Sequence, residues 1–337
     1  MFRSKTLFIV GAGASSEVGL PTGSELKNII AGKLDIRFPD GYAQISGDHE
    51  ITSALKKYVR DINPLLNIAW MIRDAMPQAD SIDNFIDAHR DDKNIALCGK
   101  LGIISSILEK EKGSPLYIGL PDAEKIKFKV LEDTWYSNFF KLLIEGVSKN
   151  EVEHAFENIS FITFNYDRCI EHYLLQALIN YYVFSESEAQ RLVNGIPILH
   201  PYGRVGRLPW QSGNSISVLF GGVADILSIV DQIKTFTEQI EDQEAISEIR
   251  NKVLRAETIV FLGFAFHRQN MELIAPGGTS NAKRVFATAF GISDQDCLVV
   301  KNDIIKFFKL NNANIELRNH LKCAPFLSQY QRSLSQA

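Results

Sequence analysis

The sequence predicts an α/β protein: a Rossmann-like parallel sheet with helices on both faces, plus a helical insertion or subdomain. Short apolar runs, TLFIV, ISFITF, IPILH, TIVFLGF and RVFATAF, alternate with stretches of helical periodicity, as strands buried on both faces do. The first run ends in Gly11-Ala12-Gly13, where a strand would hand the chain to a helix. At 337 residues and 45% hydrophobic content, the chain has ample material for a large core.

Taken in order, Thr6 to Val10 is a strand bounded by glycine, and Thr22 with Glu25 has the spacing of a capping box ahead of a helix from Leu26 to Lys33. From Ile51 to Ala155 the periodicity is helical, as in NFIDAHRDDKNIALCGKLGIISSILEKE and TWYSNFFKLLIEGV, broken by the loop KGSPLYIGLPD. Strand and helix then alternate again: ISFITF, a helix through CIEHYLLQALINYY, IPILH, a helical region from Val223 to about Arg255, TIVFLGF and RVFATAF. The expected organisation is a sheet domain of residues 1–50 and 156–320, a helical insertion or subdomain at 51–155, and a C-terminal tail at 321–337.

Bulk properties remove several classes of function. The formal net charge of -4 provides no global attraction to nucleic acid or anionic membrane, so direct nucleic-acid binding is not expected. MFRSKTLFIV lacks the apolar core and cleavage site of a signal peptide, and no apolar run approaches the roughly 20 residues of a membrane span. A cytoplasmic location is expected. Cys98, Cys169, Cys297 and Cys323 are scattered, without a paired spacing or a nearby histidine, so neither zinc nor a disulfide framework is expected.

Ligands of open parallel sheets bind beyond the carboxyl ends of the strands, which directs attention to the residues after each run. Gly11 to Ser15 are small enough for backbone N–H groups to approach a phosphate, although a tight packed turn would use the same residues. Asn165 follows ISFITF and has the chemistry to bind a ribose hydroxyl or a water; Asp167 suits the N-cap of the next helix. His200 follows IPIL, with Tyr202 and Gly203 behind it, and an imidazole suits proton transfer near neutral pH. His267, after TIVFLGF, is the rival histidine and reads more simply as a surface loop residue.

GAGASSEVGLP, TFNYD and LHPYGRVG, in that order, resemble the motifs of the sirtuin-like (SIR2-like) superfamily, whose sheet binds NAD. SIDNFIDAH, GFAF and ATAFGIS resemble its prokaryotic antiphage-defence branch, whose members hydrolyse NAD. The resemblance implies Asn165 and His200 as the catalytic pair, and Gly11, Ala12, Gly13, Ser15 and Asp167 as NAD-contacting positions. Tyr202 and Gly203 of HPYG and Gly263 of GFAF complete the candidate set. Two features depart from the protein-deacylase branch: Thr22-Gly23-Ser24 follows Pro21 where deacylases carry Phe-Arg, and no cysteine pairs exist. His200 is also separated from its glycine by Pro201 and Tyr202.

The function implied is an NAD⁺ glycohydrolase that acts in antiphage defence by NAD depletion, with a protein deacylase or a catalytically silent NAD- or ADP-ribose-binding module as alternatives. NAD is then the substrate, and no metal is expected. Nicotinamide departs neutral, so one base suffices and no acid is needed. Hydride transfer is disfavoured, because Ser16 stands where the dinucleotide fingerprint has its third glycine and only Asp35 is a candidate for the acidic ribose ligand. Control is expected from assembly: a homo-oligomer formed through the helical zone, and a separate activator such as a HerA-like nucleic-acid-translocating ATPase.

Overall fold

The computed structural model describes residues 1–119 and 125–335. Its six strands are β1 (Thr6–Val10), β2 (Ile159–Thr163), β3 (Ile198–Leu199), β4 (Thr258–Leu262), β5 (Arg284–Thr288) and β6 (Asn314–Arg318). Every pairing is parallel, and the order is β3-β2-β1-β4-β5-β6. The order reverses between β1 and β4, which makes their ends the topological switch point of the sheet. Val10 lies level with Thr163 and Leu262, so Gly11, Phe164 and Gly263 all emerge at one edge.

Among the described residues, α1 (Ala12–Ser15), α2 (Gly23–Leu34), α3 (His49–Tyr58), α4 (Asn63–Ala75), α5 (Ile82–Ala88), α6 (Lys93–Gly113), α7 (Trp135–Ile144) and α8 (Val152–Phe156) lie between β1 and β2. Then α9 (Cys169–Tyr182) and α10 (Glu186–Asn194) lead to β3, and α11 (Phe236–Glu241) and α12 (Gln243–Arg255) precede β4. The remaining helices are α13 (Arg268–Ile274), α14 (Asp294–Phe308), α15 (Cys323–Gln329) and α16 (Gln331–Ser335). Among the described residues no helix is long and apolar enough to cross a membrane.

Strand alternation decides which layer each side chain enters. Leu7 and Ile9 join a core with α2 to α6, whereas Phe8 and Val10 face the opposite core with α7, α9 and α15. The helical stretch between residues 51 and 155 therefore contributes to both faces. In the second core Phe8 packs edge-on against Phe2 and Phe139 and stacks beside Phe161, with ring centroids 5.1–5.5 Å apart. Truncating one such buried ring to alanine costs about 3–5 kcal/mol.

Capping starts the helices where the sequence says it should. Thr22 accepts from the Glu25 N–H while the Glu25 carboxylate accepts from the Thr22 N–H, completing the box ahead of α2. The region from Val223 differs from expectation: a 3-10 turn at Val230–Gln232 is followed by an extended Ile233 bridged to Gly203, and α11 starts only at Phe236. A second capping box, Thr235 with Glu238, sets that start.

β6 is also additional to the expected strands; its edge position leaves NIELR only partly buried, without the apolar run that marks the inner strands. Of the expected tail at 321–337, the part up to 335 forms α15 and α16, with Phe326 and Leu327 fully buried, and 336–337 lie outside the described residues. The expected loop KGSPLYIGLPD begins inside the end of α6, and its residues 120–122 lie outside the described residues.

Candidate functional site

The glycine turn after β1 is a short helix wedged against the turn after β4. Gly11 donates to the Leu262 carbonyl at 3.0 Å, and Gly13 donates to the Gly263 carbonyl at 3.0 Å. Gly263 has φ +58, and a Cβ there would lie 2.1 Å from the Ala14 nitrogen. A Cβ on Gly11 would lie 2.6 Å from the Gly263 oxygen. Close backbone packing across the switch point thus accounts for Gly11, Gly13 and Gly263 in sterics alone. The Ala14 N–H is spent on the Gly11 carbonyl, while half-exposed Ala12 opens α1.

Asn165, two residues past β2, is buried and reaches back to that turn. Its Nδ2 donates to the Gly11 carbonyl at 3.2 Å and to Ser15 Oγ at 2.9 Å. Ser15 is buried in turn, with Tyr136 OH of α7 at 3.4 Å. Asn165 Oδ1 is buried with no protein partner among the described residues. Asp167 accepts from the Cys169 N–H at 3.0 Å, so it serves the first turn of α9 as expected, although the N-cap position itself belongs to Arg168. Burial pushes the Asp167 carboxyl up, opposed by hydrogen bonds from Cys169 and Ser15.

His200 follows β3 directly, and its side chain is only 6% exposed. Nδ1 lies 3.2 Å from the Asn165 carbonyl oxygen, and Nε2 lies 3.0 Å from Glu171 Oε1. Both partners are acceptors, so a ring carrying both protons would meet both contacts and a neutral ring meets one of them as donor. Glu171, on α9 one turn past Asp167, also accepts from Arg204 Nη1 at 2.9 Å. Burial alone would raise the Glu171 carboxyl; His200 and Arg204, which face it, reverse this and hold it down at about 2.

Beyond these groups lies an aromatic wall, with Phe164 packed on Tyr202 and Phe264 at centroid distances of 5.6 and 5.1 Å. Tyr202 OH donates to Asn270 Oδ1 at 2.6 Å, and burial pushes its phenol up. Gly203 has φ +73 and no room for a Cβ, which would fall 1.8 Å from the Gln232 oxygen, so its role here is steric. Helix α5 leans over this edge: Tyr166 OH donates to Asp83, while Asp87 accepts from Thr237 and Gln269, both at 2.9 Å. Phe266 holds a left-handed backbone, φ 56, unusual for a bulky residue and placed at the rim of the site. His267 is exposed beside it, as the surface-loop reading expects.

The structure thus gathers Gly11, Gly13, Ser15, Asn165, Asp167, His200 and Gly263 around one switch point, with Tyr202 and Gly203 at its side. It adds Glu171, Arg204, Tyr136, Tyr166 and Asp83, which the sequence reading missed. A single acid in the mostly apolar run CIEHYLLQAL was the available signal for Glu171. Asp35 caps the far end of α2 and is ion-paired with Arg37 and Arg73.

Sizeable cavities lie elsewhere, one of about 610 Å³ beside Lys33, Asp48, Ser105 and Glu109. Lys33, Asp48 and Glu109 there already satisfy one another, since Lys33 bridges both acids and Ser105, so the strand ends remain the better candidate. Among the described residues no group of three or more His, Cys, Asp or Glu is placed to hold a metal.

Residues 159–312 match the family model of the SIR2-like domain, a span from β2 to just beyond α14 that includes Asn165, Asp167, His200, Tyr202, Gly203 and Gly263. No curated protein matches the chain.

Proposed function

Because residues 159–312 match the SIR2-like domain, we propose that the chain is an NAD⁺ glycohydrolase of the SIR2-like superfamily, cleaving the nicotinamide–ribose bond to release nicotinamide and ADP-ribose. The observation that carries this reading is Asn165: a buried amide at the switch point, tied to the glycine turn through Nδ2 and to His200 through its backbone, with Oδ1 left without a partner among the described residues. An orphaned buried acceptor is costly unless a ligand hydroxyl or a water meets it. In the proposed reaction Asn165 orients water toward the anomeric carbon, the C–N bond breaks, and neutral nicotinamide leaves with the bonding pair. His200 takes the proton of the attacking water. The half-exposed start of α1 at Ala12 supports a position for the diphosphate.

Deacylation is the second reading. It is disfavoured by the missing Phe-Arg pair after Pro21 and by unpaired cysteines at 98, 169, 297 and 323. Purified protein incubated with NAD, with and without an acetyl-lysine peptide, separates the readings. Nicotinamide and ADP-ribose without peptide support hydrolysis; strict peptide dependence supports deacylation; binding without turnover supports a silent module. The role in antiphage defence rests on the likeness of SIDNFIDAH, GFAF and ATAFGIS to that branch. Phage plating with intracellular NAD measured in wild type and Asn165→Ala tests it. Control by homo-oligomerisation, or by a partner such as a HerA-like ATPase, belongs to the same proposal and is tested by light scattering and turnover across a dilution series.

A further inference from the structure

Glu171 has no part in the reaction just described, yet it is built into the site. Its side chain is 1% exposed, Oε1 takes both the His200 and Arg204 contacts, and Oε2 has no partner among the described residues. A carboxylate held so deep is costly, and removing its partners would leave a bare buried charge. Resting on the glycohydrolase reading, we propose that Glu171 is a positioning residue: it keeps a proton on Nε2 of His200 and so makes Nδ1 the nitrogen that takes the proton from water.

The geometry separates the two ring nitrogens. Nε2 faces an anionic oxygen at 3.0 Å, whereas Nδ1 faces a neutral carbonyl, that of Asn165, at 3.2 Å. A ring with one proton keeps it where the charge-assisted bond is stronger, toward Glu171. A neutral ring gives up the Nδ1 contact with the Asn165 carbonyl, so that its lone pair can take a proton from the water held at Asn165. Once that nitrogen accepts the proton of water, the new N–H has the Asn165 carbonyl as acceptor, and the imidazolium is balanced by the Glu171 carboxylate. The proton then passes to solvent, and the ring returns to its starting tautomer. Arg204 shares Oε1 from the half-exposed side, which fixes the carboxylate in one orientation.

Nitrogen-15 NMR of histidine-labelled protein, with the His200 signals assigned from His200→Gln, reads the tautomer without any substrate. The expected wild-type result is a neutral ring protonated at Nε2, with a slowly exchanging proton. Glu171→Ala removes that protection. Glu171→Gln, isosteric and uncharged, gives the same test should alanine unfold the protein: the signal weakens, and kcat falls about 10–100-fold with KM little changed. A neutral ring protonated at Nδ1 in wild type overturns the proposal, as does a ring still carrying both protons at the pH of the assay, or Glu171→Gln with full kcat and unaltered ring signals. If wild type leaves NAD intact while the Nε2 signature is present and lost on substitution, the positioning relationship stands and the glycohydrolase reading falls.

Discussion

Asn165 Nδ2 and Ser15 Oγ are 2.9 Å apart, and this bond spans from the end of β2 to the helix that follows β1. Glycines permit the close approach of the two turns, but the amide ties them. Asn165→Ala is expected to abolish NAD consumption. It removes two donated bonds to buried acceptors, which should cost about 1–3 kcal/mol of stability. Thermal or urea unfolding together with the NAD assay checks both parts; a folded Asn165→Ala with near wild-type turnover removes Asn165 from the mechanism.

His200 and His267 make a matched pair for testing the base. Each follows a strand, but His200 is buried between Glu171 and Asn165, whereas His267 is exposed at the start of α13. Loss of a general base typically lowers the rate about 10²–10⁴-fold. His200→Ala is expected to fall by that much, and His267→Ala to stay near wild type. The reverse result would move the base to the β4 end of the sheet.

The parts of this fold that are legible in the sequence are those set by local chemistry. β1 and β4 are unbroken apolar runs, and the Thr22–Glu25 box is written in residue type and spacing alone. Asn165 and His200 are legible for the same reason, as polar residues that follow the apolar runs of β2 and β3. What was not legible depends on partners distant in the chain. Glu171 acquires meaning only when α9 brings it to His200, and β6 becomes a strand only because β5 offers it an edge. The glycines show the reverse: their presence was legible, but the cause acting on Gly11 is Gly263, some 250 residues away.

Arg168 and Glu111 form a fully buried ion pair between the start of α9 and the end of α6. Arg168 also donates to the carbonyls of Val218 and Leu219 at 2.6 and 3.1 Å, while Glu111 accepts from the Gly221 N–H at 3.0 Å. The pair therefore anchors the irregular segment around 218–221 to two helices. Arg168→Ala or Glu111→Ala alone is expected to cost about 3–5 kcal/mol, because each leaves an unpaired buried charge. The double substitution should cost clearly less than the sum. Urea unfolding of the four proteins closes the cycle, and strict additivity would contradict a direct coupling.

His172 should make the fold acid-sensitive in a window of its own. Its ring lies flat on Phe220, with centroids 4.3 Å apart and planes 3° apart, and Nε2–H donates to the Leu116 carbonyl at 3.0 Å. Burial, with the nearby Arg168 charge adding to it, lowers this imidazole from its ordinary 6.5 to about 4. The folded state therefore holds it neutral, while the unfolded chain takes up a proton first as pH falls. Its contribution is fully present above the unfolded value and is lost between pH 6.5 and about 4, amounting to about 3 kcal/mol when fully developed. His172→Phe keeps the stacking and removes the titration. The variant loses the bond to Leu116 at every pH, yet its stability relative to wild type should improve steadily as pH drops through that window. Urea midpoints for both proteins at a series of pH values measure this difference, in which the other titrating groups cancel. Parallel pH profiles for the two proteins would show that His172 is not held neutral in the fold.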